Sequence, residues 1–404
     1  FATPMSISAY EREMIKLAKE NSNGKVVVLI NSDVPMEIEE LKEDPQIGAI
    51  LWTGLPGMNG FLGVCDVLSG DVNPSGHISD TYATNSISSP AMTNFGLYMY
   101  TNNSTTGADA ELTDVNKADW YVVETEGIYI GYKYYETRYE DSVLGQGNAN
   151  AVEGSSTESG WNYADEVTYP FGYGLSYTTF EQKLDSVDVS VGEKGTAKVT
   201  VTNTGNVAGK DVVQLYVQTP YTAGGLEKSA VQLLDFGKTK VLNPGESETI
   251  EIEFNPEYMA SYDENLTKED GTNGAWVLDG GDYYFTVGNG AHEALNNIIA
   301  AKTGTTDNLV TITDSEMIQP ENVTTVSLQA DSETYSVNVE NALHDCDINN
   351  FIQEAAEYTT RSDWSKGWKE VENITPTEEM MVGLTNSTYE LTENSDEKVV
   401  WGAD

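Results

Sequence analysis

At 404 residues the chain is long enough for two or three domains, each with its own core. Its formal net charge of −44, from 21 basic against 65 acidic residues, repels phosphate backbones and anionic headgroups; this excludes nucleic acid and membrane surface as partners and leaves a neutral glycoside compatible. No apolar run of about 18 residues is present to span a membrane, and Cys65 and Cys346 read as two buried free thiols, so cytoplasmic and secreted locations both stay open.

The first elements follow an α/β pattern. From Ser8 to Asn21, Tyr10, Met14, Leu17 and Ala18 share one helix face, and Ser8 with Glu11 forms a capping box. Lys25-Val-Val-Val-Leu-Ile-Asn31 is a continuous apolar run, as expected of a parallel strand buried on both faces. Met36 to Lys42 reads as a second helix, and Ile47-Gly-Ala-Ile-Leu-Trp52 as a second buried strand. The glycine-rich loop Thr53-Gly-Leu-Pro-Gly-Met-Asn-Gly60 follows, then a helix through Leu68. Stretches 85–119 and 145–162 are polar and read as surface insertions, with the aromatic segment Glu126-Gly-Ile-Tyr-Ile-Gly-Tyr-Lys-Tyr-Tyr-Glu136 between them.

Next comes Tyr169-Pro-Phe-Gly-Tyr-Gly-Leu-Ser-Tyr-Thr-Thr-Phe180, whose proline and glycines end any helix and whose aromatics suit a packed junction. Beyond Leu184 the period becomes two. Val187, Val189 and Val191, then Val199 and Val201, then Val213, Leu215 and Val217, then Ile250, Ile252 and Phe254 alternate with polar residues. Turn residues at 203–206, 243–246 and 279–282 separate these runs, which predicts an antiparallel β sandwich ending near Gly288. Strand-like fragments at 307–337, a short helix at 348–356 and an acidic, irregular remainder complete the chain.

Several of these segments, in this order, resemble glycoside hydrolase family 3. They are Lys25–Ser32, Ala49–Gly57 through Asp66–Gly76, Glu126–Tyr135 and the junction 169–180, followed by Val199–Gly205, Asp211–Val217, Leu242–Ser247 and Trp276–Gly281. The resemblance implies an N-terminally incomplete α/β sandwich domain over 1–180. A fibronectin type III-like (Ig-like) β sandwich over 181–301 follows, and then an acidic extension over 302–404 leading toward a catalytic barrel. Family members hydrolyse β-glycosides with retention, using two carboxylates. The nucleophile lies in a (β/α)8 barrel and no eightfold βα repeat is present here, so a reversed domain order or a partner subunit is implied. The expected function is therefore part of a retaining β-glucosidase-type enzyme, inactive as this chain alone. The alternative is a non-catalytic carbohydrate-binding or scaffolding module.

Candidate substrate contacts are Trp52, Pro56, Gly57, Met58 and Asn59, at a strand end where an indole can stack on a sugar; core packing explains Trp52 equally well. Arg361-Ser-Asp-Trp364 repeats the family's nucleophile triplet, but a polar stretch rather than an apolar barrel strand precedes it and a chain with 65 acidic residues matches it easily by chance, so Asp363 reads as part of a linker and the catalytic residues stay unassigned. Tyr132, Tyr134 and Tyr135 read as packing residues. His77, His292 and His344 lack ligand spacing, so neither a metal nor another cofactor is expected. Asp263–Gly271 misses the EF-hand pattern and reads as a polar loop. The implied partners are a β-glycoside or oligosaccharide and the catalytic barrel; whether the chain forms a homo-oligomer stays open.

Overall fold

The computed structural model describes residues 5–95, 98–99, 120–121, 123–267, 271, 273–335, 347–350 and 352–371. His344 and Cys346 lie outside them. The capping box forms as expected: Glu11 N donates to Ser8 Oγ at 3.3 Å and Ser8 N to the Glu11 carboxylate at 2.7 Å, opening helix Ala9–Asn21. Strands Val26–Ile30 and Ile47–Trp52 pair in parallel, with Ile30 opposite Trp52. One face of the pair packs on Ile7, Ile38, Leu41 and Tyr82.

The other face departs from expectation. Val27 and Leu29 are exposed, and so are Tyr10, Met14 and Leu17 of the first helix, whose packed contact is Ile15 instead. A two-stranded sheet has too few neighbours to cover both its sides, so the first strand is buried on one face only. Cys65, expected inside, is an exposed free thiol on the adjoining helix Gly57–Ser69 for the same reason.

The segment 126–136 folds into the start of helix Tyr132–Leu144, which carries the larger core. Tyr134 and Tyr135 are buried as expected, and Tyr132 stacks on Phe171 with centroids 4.5 Å apart. The stretch 145–162 is not wholly a surface insertion. Trp161 and Ala149 are buried, and Arg138 lies over the Trp161 ring while donating to the carbonyls of Ala149 and Ala151.

Seven strands form the β sandwich. One sheet has the order Gln232–Lys238, Val212–Gln218, Gly281–Gly288, Val323–Leu328; the other has Ser247–Phe254, Gly195–Asn203, Phe180–Asp188. All pairings are antiparallel. The alternating valines and leucines at 199, 201, 213, 215 and 217 are its fully buried core. Residues 263–267 belong to a strand, Ser261–Thr267, in a hairpin with Asn273–Val277 rather than to a free loop. Strand Val323–Leu328 lies within the 302–404 segment and completes the first sheet. Helix Ala291–Thr303 packs back on helix Tyr132–Leu144. The short helix expected at 348–356 reduces to one 3₁₀ turn, Ile348–Asn350.

The junction 169–180 joins the two units tightly. Gly172 has φ +83°, and a β-carbon there would sit 2.1 Å from Gln214 Oε1 and 2.9 Å from Gly290 Cα, so only glycine lets the backbones meet. Gln214 Nε2 donates to Gly172 O at 2.9 Å, and Ala291 N to Phe171 O at 2.9 Å.

Candidate functional site

The loop after strand Ile47–Trp52 has the geometry expected of a binding edge in an open parallel sheet. Thr53 N and Oγ1 both donate to Ile30 O, tying the ends of the two strands together. Trp52 Nε1 donates to Ser32 O at 2.8 Å, which holds the indole close to Gly54. The ring is 38% exposed, so it is neither core nor free. Gly54 and Gly57 take positive φ, Pro56 caps helix Gly57–Ser69, and Met58 stands 96% exposed at its first turn with Asn59 beside it. Trp52, Pro56, Gly57, Met58 and Asn59 thus occupy one exposed rim. From 52 to 60 the rim carries no ionisable side chain. It offers an apolar ring, a thioether and an amide to a ligand, and no group able to attack or protonate a glycosidic bond.

Asp363 lies elsewhere, half-buried on a turn between buried Arg361 and Trp364. Its Oδ1 accepts from Ser365 N and Oγ, and the Ser365 hydroxyl is the main cause that holds its carboxyl below the usual range. The side chains flanking it do the work of that segment. Arg361 Nη2 donates to Asp141 Oδ1 at 2.6 Å and to Glu140 Oε2 at 2.9 Å, and Trp364 Nε1 donates to Asp141 Oδ2 at 2.8 Å. Glu140 also receives Lys302 Nζ at 2.8 Å and Gln218 Nε2 at 2.9 Å. Burial opposes the Glu140 charge, yet Lys302 and Arg361 outweigh it and hold the carboxyl below its ordinary value. One buried ionic joint therefore ties helix Tyr132–Leu144, the sandwich, helix Ala291–Thr303 and the tail.

A second joint contains His292, fully buried. Its Nδ1 lies 2.9 Å from Glu136 Oε2 and its Nε2 2.8 Å from Val310 O, so both ring nitrogens face acceptors and the imidazolium fits. Burial disfavours that charge, but Glu136 prevails and raises the His292 pKa. Tyr163 donates to Glu136 Oε1 at 2.5 Å and stacks on the imidazole at 3.9 Å. Neither joint was expected: their members are scattered over more than 150 positions, and no local spacing links them. The one available signal was the charged residues Glu136, Arg138, Glu140 and Asp141 interleaved with tyrosines along helix Tyr132–Leu144.

Residues 2–177 match the glycosyl hydrolase family 3 C-terminal domain, and residues 211–291 match the fibronectin type III-like domain. This chain belongs to glycoside hydrolase family 3. It is 34% identical over 292 residues to beta-glucosidase A of Butyrivibrio fibrisolvens, covering 69% of this chain and 29% of that relative. With the beta-glucosidase of Ruminococcus albus the identity is 32% over 285 residues, 70% of this chain and 24% of the relative. Among solved structures, a beta-glucosidase from Paenibacillus barengoltzii superposes with a TM-score of 0.54 at 29% identity, covering 82% of this chain and 28% of that one. Beta-glucosidase 3B from Thermotoga neapolitana, solved with glucose, gives 0.54 at 26% identity, covering 82% and 36%. The family 3 chain thus spans less than a third of the length of these two curated relatives. The expected fold class, an α/β sandwich domain followed by a fibronectin-like β sandwich, is the observed one.

Proposed function

We propose that this family 3 chain serves as the non-barrel portion of a retaining β-glycosidase of the β-glucosidase type. The catalytic barrel lies outside these 404 residues. The observation that carries the reading is the match to β-glucosidases over about 70% of this chain. Two structural features support it. The rim at Trp52 and Met58 exposes an indole and a thioether and supplies no acid or nucleophile. The sheet face that carries Val27 and Leu29 is apolar and exposed, as a face that another folded layer covers would be.

In this reading a carboxylate of the barrel attacks the anomeric carbon. A second carboxyl about 5–5.5 Å away protonates the leaving oxygen and then activates water, which gives retention. The chain's own part is to hold the rim against the sugar and to keep the barrel in place.

Hydrolysis of p-nitrophenyl β-glucoside tests this. The 404-residue chain alone shows no turnover, and a polypeptide that also contains the barrel does. Turnover by the chain alone, abolished by replacing one of its own acids with binding intact, refutes the proposal.

A further inference from the structure

A cavity of about 700 Å³ opens between the junction 169–180 and the β sandwich, within the size range of small-molecule sites and at the kind of interface where they occur. Its walls come from both units. Asn289, at the end of strand Gly281–Gly288, lies 2.8 Å from His77 Nε2 and donates to Gly174 O at 3.0 Å, so its amide spans the seam. Across the opening Gln182 Nε2 donates to Asp211 Oδ2 at 2.8 Å and to Val212 O at 3.1 Å. The Gln182 Oε1 is buried and accepts no hydrogen bond, an unmet acceptor on the wall. Glu293 closes one side from the first turn of helix Ala291–Thr303, and Met317 forms an exposed apolar patch beside it.

The chemistry of these walls selects a class of ligand. Burial pushes the Asp211 carboxyl up to about 6 and the Glu293 carboxyl up to about 7, so near neutral pH each passes readily between accepting and donating. The Asn289 amide has a second hydrogen and a second lone pair beyond the bonds just named and so does both at once, while Gln182 offers its unmet acceptor. Groups that both donate and accept complement hydroxyls, which do the same. An anionic ligand is disfavoured by a chain of net charge −44.

We propose that this interdomain cleft binds a neutral polyhydroxy ligand, a mono- or disaccharide, through Gln182, Asp211, Asn289 and Glu293. The choice of a sugar rests on the β-glycosidase reading; the cleft itself does not.

The test is a titration of the 404-residue chain, labelled with ¹³C at methionine methyls, with glucose and with cellobiose. Met317 reports on the cleft and Met58 on the rim, each assigned by its leucine variant. The expected result is a saturable shift of Met317 with Met58 unmoved. Gln182→Ala and Asp211→Asn each weaken it about tenfold, as the loss of one or two hydrogen bonds would. A Met317 signal unmoved by excess sugar overturns the proposal, and so does a response confined to Met58; neither needs a variant to fold. Turnover by the barrel-containing enzyme alongside a silent Met317 removes the cleft site alone. A Met317 response with no turnover in any preparation retains the cleft and removes the glycosidase reading.

Discussion

Replacing Arg361 with alanine is expected to destabilise the α/β unit by about 4 kcal/mol, within the range for breaking a buried ion pair from one side. The guanidinium is 4% exposed and makes four polar contacts: Nη2 with Asp141 Oδ1 and Glu140 Oε2, Nε with Asp141 Oδ2 at 3.1 Å, and Nη1 with Lys228 O at 3.2 Å. It also lies 4.0 Å over the Tyr221 ring. Truncation leaves the Asp141 carboxylate buried with the Trp364 indole as its remaining side-chain donor. Glu140 keeps Lys302 and Gln218, so the cost falls mainly on Asp141.

Lysine at 361 keeps the charge but loses the planar fork, and is expected to recover less than half of the loss. The assay is urea unfolding followed by tryptophan fluorescence, because Trp161 and Trp364 sit in the cluster that the joint closes. A double-mutant cycle with Asp141→Asn is expected to give a coupling of about 2–3 kcal/mol. A loss below about 1 kcal/mol, the value for an exposed pair, refutes the argument that this joint is a buried structural bond.

Three further outcomes are expected. Asp211 titrates at about 6 in the folded chain and near its ordinary value when unfolded, so its contribution to stability is greatest in acid and is lost as pH rises through 6. Asp211→Asn removes that loss, making the variant about 3 kcal/mol more stable than the parent near pH 8 and equal to it near pH 4; a difference that does not vary with pH in parallel urea titrations contradicts this. Gly172→Ala is expected to cost at least about 2 kcal/mol from positive φ and backbone overlap, read as faster proteolysis at the junction, and an unchanged cleavage rate counts against it. For His292 the raised pKa means stability that is full below the ordinary imidazole value and lost as pH rises through the folded one. The parent's advantage over His292→Gln should therefore shrink with pH, and an NMR titration placing the ring below its ordinary value removes the basis.

The β sandwich was legible because its signal is local. Val199, Val201, Val213, Leu215 and Val217 alternate within single strands, and each lies in the core. The Ser8–Glu11 cap, three residues apart, was legible for the same reason. The open sheet face was not: Val27 and Leu29 are as apolar as Val28 and Ile30, and apolar character cannot tell whether a second layer is there to cover it. Strand Val323–Leu328 was missed as part of the sandwich because its partner, Gly281–Gly288, lies across a whole helix. At the candidate site the rim residues were named from the strand–loop–helix order alone. Asp211 and Glu293 carry no local mark, because what sets them apart is burial in a cleft that exists only once both units are assembled.

The path of residues 359–371 has a mechanical consequence. Thr359 N donates to Thr125 O, Trp364 N to Gly147 O and Val371 N to Asn94 Oδ1, so the chain comes back onto the unit it left at the junction 169–180. The β sandwich is thus anchored at two separate points, like a handle fixed at both ends. The return contacts add to the buried joint at Glu140 and Asp141 and to the core shared with helix Ala291–Thr303, which already resist rotation between the units. Polypeptide beyond Val371 starts its course beside Asn94, on the α/β unit and not at the far end of the sandwich. A module carried on that polypeptide would be tethered to the α/β unit rather than to the sandwich, which raises its effective concentration there.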